Sequence, residues 1–346
     1  MRVSTSITSL ALNRVADETT RLEAAGFDVV TTQENRHDPF LPHAIAATAT
    51  RKLALRTSIA IAFSRSPMPV ANVAWDLQQA SAGRFTLGLG SQVRGHNVRR
   101  FSVPWSAPAP RMREYMEALR AIFHCWETGE RLNYEGEHYQ FSLMTPNFTP
   151  EPLPCPPPAI QIAAVGPGML NVAAAVCDGV QLHPFCTARY LRESILPRIE
   201  KALAKRRLGR SDFEISGGGF IATGATDEAV RRALDWVRMR VGFYGSTPSY
   251  WPVFEAHGLG DLGRKLNEMS KRGDWDAMTD EVNDDVVHLF CASGRHDEIA
   301  VAIAERFGGL TDMLALDADV PAELVTDIQQ AVGPSNTQQV GKPPKP

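Results

Sequence analysis

No stretch of this 346-residue chain approaches the ~18 consecutive apolar residues that a bilayer-spanning helix needs, which argues against a helical membrane protein. The opening MRVSTSITSLALNRVADETT also lacks the long apolar centre of a secretory leader. There is no excess of positive charge: 36 Lys and Arg stand against 39 Asp and Glu, for a net charge of −3. Without a basic field, neither nucleic acid nor an anionic membrane is an expected partner. Cysteine is sparse, and Cys125, Cys155, Cys177, Cys186 and Cys291 stand far apart with no C-x-x-C pair. Such a scattered, odd set reads as reduced, buried thiols in a cytoplasmic protein. The nine histidines form no H-x-H or H-E-x-x-H pair, so no metal site is expected.

What the chain does have is a core and a rhythm. Hydrophobic residues make up 44% of it and charged residues 22%, close to an average soluble protein. Short β-like runs alternate with amphipathic ones. RVSTSIT (2–8), FDVVTT (27–32), LALRTSIAIAF (53–63), RFTLGLG (84–90), AIQIAA (159–164), GVQLHP (179–184), FEISGGGFIATG (213–224) and TDMLALD (311–317) read as strands. Helical runs fill nearly every gap. The clearest, 110–129, starts at Pro110 and places Met112, Tyr115, Met116, Leu119, Ile122, Phe123 and Trp126 on one stripe. Helices are also expected over 187–205 and 226–240. Parallel neighbours need crossover helices, so strict β/α alternation argues for a parallel sheet. Eight such units fit an α/β fold of the (β/α)8 TIM-barrel type with insertions. On pattern alone a doubly wound sheet remains the alternative. The barrel is taken as one domain over 1–332. Its insertions fall at about 130–158, hairpin-like and then proline-rich, and at about 241–290, with short helices. Residues 333–346 read as a disordered tail.

The stretch GRFTLGLGSQVRGHNVRRF (83–101) separates these folds. A dinucleotide fingerprint needs G-x-G-x-x-G opening a helix, but Gly88 and Gly90 are followed by Gly95, at the wrong spacing. About twenty residues of polar loop follow instead. A barrel strand delivering a long loop to the C-terminal face suits the order better.

GRFTLGLGSQ also resembles the G-R-F-x-L-G-x-G signature of the luciferase-like monooxygenase superfamily. The likeness runs from about residue 2 to 330. AAGFDVVTTQE, HDPFLPHAIAAT, RTSIAIAFSRSPM, PAPRMREYMEALRAIF and VAAAVCDGVQLHP follow in the family's order. The run IAFSRSPM…LGLGSQV is most similar to the deazaflavin-dependent (coenzyme F420) branch. The resemblance implies a TIM barrel that holds a flavin or deazaflavin at the strand C-termini. It also implies a homodimer and a non-prolyl cis peptide at Ser58–Ile59, bulging behind the central ring.

Candidate site residues follow. In QENRHDPF, His37 and Glu34 are the candidate proton donor and acceptor beside a hydride-transfer centre. Asp38 reads as a helix cap. Asn35 stands where many relatives place a histidine directly after the glutamate. Along strand 3, Ser58, Ala60 and Ala62 alternate with the larger Ile59, Ile61 and Phe63, a small face that a flat ring could approach; Ser58, Ile59 and Ala60 are cofactor candidates together with Gly90. Arg94, Arg99 and Arg100 offer guanidinium groups to an anionic tail, a purpose the deazaflavin's phosphodiester and glutamate would supply. AAVGPGMLN opens a helix with glycines, making Gly166, Gly168 and Met169 phosphate candidates. Gly217, Gly218 and Gly219 interrupt strand 7, and Tyr244, Tyr250, Trp251 and Phe254 form either a pocket wall or the insertion's own core. The leading expectation is a coenzyme F420-dependent oxidoreductase acting on a small-molecule substrate. The alternatives are an FMN-dependent monooxygenase and a non-catalytic flavin-binding barrel.

Overall fold

The computed structural model describes residues 1–332, and they divide into two compact units. The expected disorder of 333–346 lies outside the described residues. One unit comprises Ser4–Gln181 and Ala202–Phe213, the other Met1–Val3, Leu182–Lys201 and residues 214–332. Strand β1 (Arg2–Ser6) is divided between them, as is β9, introduced below.

In the first unit β1 is followed by β2 (Val29–Thr32), β3 (Ala54–Thr57), β4 (Ala60–Ile61) and β5 (Phe85–Gly90). A short antiparallel hairpin, β6 (Tyr134–Glu135) and β7 (Gln140–Phe141), precedes β8 (Ala159–Ala164) and β9 (Gly179–Leu182). The sheet order here is β1-β2-β3-β5-β8-β9, and the pairings from β1 to β8 are parallel. In the second unit come β10 (Glu214–Gly217), β11 (Phe220–Gly224), β12 (Cys291–Arg295) and β13 (Met313–Ala315). There the order is β9-β10-β13-β1, while β11 and β12 form a separate parallel pair. These are the eight strands of a (β/α)8 TIM barrel.

The strands of the first unit bury Val29, Val30, Leu55, Leu87, Leu89, Ile160, Ile162 and Val180, and with them the polar Thr5, Thr31, Arg56, Thr57, Gln161 and Gln181. Burial of nearly every strand residue is what parallel strands covered on both faces show. The expected stripe on the helix Pro108–Thr128 is buried at every named position, from Met112 to Trp126. Trp126 meets Trp75 edge-on at 5.2 Å, and the helix ends on Gly129 in the left-handed conformation. The proline-rich connector is tied to the helix Pro67–Ala80: Trp75 Nε1 donates to Glu151 O, and Gln78 Nε2 to Pro156 O.

Four sequence expectations need correction. Strand 3 is not continuous over 53–63; it breaks between β3 and β4 at a cis Ser58–Ile59 peptide, the bond the resemblance implied. Strand 7 likewise splits at Gly217 and Gly218, whose φ of 81° and 100° favour glycine, and its second half pairs outside the barrel with β12, a strand not anticipated. The polar loop after β5 contains a six-residue helix, Arg94–Arg99, because Asn97 is buried and its Nδ2 donates to Ser91 O and Val93 O. The helix expected over 187–205 begins as a single turn at Ala188, passes through a π-turn at Leu191–Ile195, and becomes regular at Leu196.

One buried group makes folding pH-dependent. His43 is fully buried, its Nε2 sits 2.9 Å from Thr32 Oγ1, and burial pushes its pKa down to about 4. In the unfolded chain it returns to about 6.5. The folded value is the lower one, so this stability is complete above pH 6.5 and is lost as the pH falls toward 4. The loss amounts to about 3 kcal/mol for a fully buried group. Urea midpoints measured at pH 7 and 4.5 should therefore converge for His43→Gln relative to the natural chain. Parallel pH profiles for the two would remove His43 as the cause.

Candidate functional site

Within the first unit, the strand C-terminal ends carry most of the expected residues. Glu34 follows β2 and is held on three hydrogen bonds. Ile61 N–H donates to its Oε2 at 2.7 Å, and Arg65 Nη1 donates to both carboxylate oxygens at 2.9 and 2.7 Å. The Glu34 side chain is only 8% exposed, which makes this a nearly buried ion pair. Arg65 also reaches Asp38 Oδ2 at 3.3 Å and lies over the Phe40 ring. Burial pulls the Arg65 pKa down, but Glu34 and Asp38 more than offset that and raise it, so the guanidinium stays charged. Asp38, expected as the cap of the following helix, stands two residues before its N-cap Phe40 and accepts from Phe40 N and Leu41 N. His37 is exposed and its side chain has no hydrogen-bond partner among the described residues. The fold thus divides the sequence's candidate pair: Glu34 is engaged in the frame and His37 is free.

The cis bulge is fastened to β2: Ser58 N–H donates to Thr32 O, and Ile59 O accepts from Glu34 N. Ala60 is fully buried, while Ser58 and Ile59 remain partly exposed. Gly90 ends β5 beside this bulge, and a Cβ there would lie 2.7 Å from Ile59 Cδ1. The glycine is what lets Ile59 sit at the strand end.

Of the loop arginines, Arg100 is engaged, donating to the carbonyl of Asn35 and lying over Phe101. Arg94 and Arg99 are exposed and make no ion pair among the described residues. Arg111, which sequence reasoning passed over, is half-buried. Its guanidinium stacks on Phe63 at 4.3 Å, and its Nε donates to Tyr139 Oη at 2.9 Å. Tyr139 meets the buried Tyr115 edge-on; Tyr115 Oη has no partner among the described residues, and burial holds its pKa well above 10. The advance signals of this cluster were Phe63 on strand 3 and Tyr115 on the apolar stripe.

Gly166 caps the helix Pro167–Val176, and a Cβ on it would meet nothing within 4 Å. Pro167 has no N–H, so Gly168 and Met169 present the first free amides of that helix. A Cβ on Gly168 would lie 3.6 Å from Ala109 Cβ, at the start of the long helix Pro108–Thr128. The start of the long helix lies beside this one, but Pro108 and Pro110 carry no N–H, so it adds only the Ala109 amide to those of Gly168 and Met169. Free amides at a helix start can hold a phosphate.

Within the second unit, His183 follows the last residue of β9. Its ring lies 4.3 Å from that of Tyr244 and 4.9 Å from that of Tyr250. Phe185 backs the tyrosines and packs on Phe254 and Phe290. Of the expected aromatic wall, Tyr244 and Tyr250 therefore meet at a strand end. Phe254 is wholly buried, and Trp251 is turned into the insertion, donating to Gly245 O.

The model of the family described as luciferase-like monooxygenase matches residues 1–312. An uncharacterized protein of Mycobacterium tuberculosis is 48% identical over 301 residues, covering 87% of this chain and 88% of that protein. A 5,10-methylenetetrahydromethanopterin reductase of Archaeoglobus fulgidus is 29% identical over 305 residues, covering 85% and 86%. Among solved structures, the coenzyme F420-dependent tetrahydromethanopterin reductase of Methanopyrus kandleri superposes with a TM-score of 0.74 at 18% identity, covering 96% of this chain and 98% of that one.

Proposed function

The chain belongs to the luciferase-like monooxygenase family, and from that premise we propose that it is a coenzyme F420-dependent oxidoreductase acting on a small organic substrate. One observation carries the reading. The starts of two helices meet at Ala109 and Gly168, with Gly166 leaving open room beside them. The deazaflavin's phosphodiester would be held there by the Gly168 and Met169 amides, with the single Ala109 amide beside them. The exposed, unpaired Arg94 and Arg99 suit its anionic tail. A relative named as a putative coenzyme F420-dependent oxidoreductase supports the same choice.

When bound, this cofactor exchanges a hydride with a substrate carbon. The protein's own part is positional and protonic. Ser58, Ile59 and Ala60 would back the ring, with Gly90 giving Ile59 its place. His37 would give or take the accompanying proton at its imidazole, since it is exposed and unbonded. Glu34 would act by holding Ile61 N–H and Arg65 in place. The five free thiols suit a reducing cytoplasm, and the family resemblance supports a homodimer.

FMN shares the phosphate handle, so binding decides between the cofactors. The purified protein should bind the deazaflavin with an affinity that falls steeply as salt is raised from well below to well above physiological strength, and bind FMN far more weakly. Tighter FMN binding would transfer the protein to the oxygen-dependent branch, and binding of neither would leave a barrel without a redox role.

A further inference from the structure

We propose that His183 is a substrate-binding residue, and that the substrate is an uncharged organic molecule whose oxygen, a carbonyl or hydroxyl, accepts a hydrogen bond from its Nε2–H between Tyr244 and Tyr250. The inference rests on the oxidoreductase reading above and gives that reading a substrate class.

The position comes first. His183 stands at the C-terminal end of a barrel strand, the end at which TIM barrels carry their chemistry. Its tautomer is set locally: Phe185 N–H donates to Nδ1 at 3.0 Å, which leaves the ring proton on Nε2. No described group accepts from that Nε2–H. His183 is partly exposed rather than sealed in the core. The two tyrosine rings flank the imidazole at 4.3 and 4.9 Å and stand 5.7 Å from each other, and Phe185 closes the cluster behind them. A residue that served packing alone would not need a ring nitrogen held in one tautomer with its other nitrogen unspent.

The chemistry narrows the ligand. Burial, and after it the Arg240 cation, pushes the His183 pKa down to about 4, so the imidazole is neutral throughout the physiological range. Burial, then Tyr244, raises the Tyr250 hydroxyl to about 12, so it too stays protonated. No carboxylate contributes to this pattern around His183. A cation would meet an N–H dipole and Arg240. A carboxylate would gain from Arg240 but would lose its hydration among the same aromatic rings, the cost that burial already imposes on the imidazolium. A neutral oxygen on a flat or apolar body matches both the donor and the aromatic walls.

Acetophenone and α-methylstyrene, which differ only in a C=O replaced by C=CH2, test this on the full chain with the deazaflavin present. Acetophenone should bind about tenfold more tightly, as one neutral hydrogen bond allows. Its addition should move the His183 Nε2–H proton resonance downfield, and α-methylstyrene should not. In His183→Phe the two probes should bind equally, at the affinity of α-methylstyrene for the natural chain. Equal binding by the natural chain, no movement of the His183 resonance, or a ketone preference that survives in His183→Phe would each overturn the proposal. The resonance is read on the unaltered protein, so the outcome does not depend on the variant folding. Deazaflavin fluorescence in the same sample keeps the two readings apart: cofactor binding without ketone preference refutes only the role of His183, and ketone preference without cofactor binding refutes only the cofactor.

Discussion

Gly88→Ala should yield little or no soluble protein, and any that folds should melt on the order of 10 °C lower. A Cβ at Gly88 would lie 1.9 Å from the carbonyl oxygen of Thr57 and 2.2 Å from Gln181 Nε2. Those atoms belong to one lock across three strands. Thr57 Oγ1 donates to Gly88 O at 2.7 Å and accepts from Gly88 N–H at 2.9 Å, while Gln181 Nε2 donates to Thr57 O at 3.1 Å. Overpacking costs about 1–3 kcal/mol where side chains can give way, and more where they cannot. Here the obstacle is backbone within β3, so β3, β5 and β9 would have to part. Gly90→Ala is the informative contrast, because its new methyl meets only the flexible end of Ile59. It should fold with a smaller loss but displace Ile59 and weaken deazaflavin binding. Thermal melts of both variants decide the matter; a Gly88→Ala protein within about 1 kcal/mol of the natural one would show that the lock is soft.

The barrel was legible because short β-rich runs, from RVSTSIT to TDMLALD, recur with amphipathic helical runs between them. The stripe on 110–129 was legible for the same reason: Met112 to Trp126 repeat with the helical period and all are buried. The failures have physical causes. Strand β12 reads CASGR, with too little β-branched content to stand out, and it forms only because β11 peels away at Gly217 and Gly218. The Arg94–Arg99 helix has the composition of a loop and depends on one buried asparagine. Site geometry was the least legible. The sequence shows Glu34 and His37 as near neighbours, but only the fold shows that Glu34 is already bonded to a residue 31 positions away. The same limit hid Arg111 and His183. Each owes its setting to rings distant in the chain, which no local pattern announces.

Arg65→Met should destabilise the protein by about 3–5 kcal/mol, the usual consequence of removing one partner from a buried ion pair. Glu34 would keep only the Ile61 N–H while remaining largely shielded from water. The penalty comes mainly from that stranded carboxylate rather than from any large net worth of the pair, and a double-mutant cycle separates the two. Glu34→Gln combined with Arg65→Met removes both charges and should recover much of the stability, with a coupling of at least about 1 kcal/mol. Costs that simply add would show that the two side chains act independently. Function should not recover with stability. Arg65 also reaches Asp38 Oδ2, whose carboxylate accepts from Phe40 N and Leu41 N beyond His37, and that contact is lost with the guanidinium. The doubly neutral protein should therefore fold yet bind the deazaflavin less tightly than the natural chain. That split between restored stability and unrestored binding is what distinguishes a frame built for a ligand from an ion pair that serves folding alone.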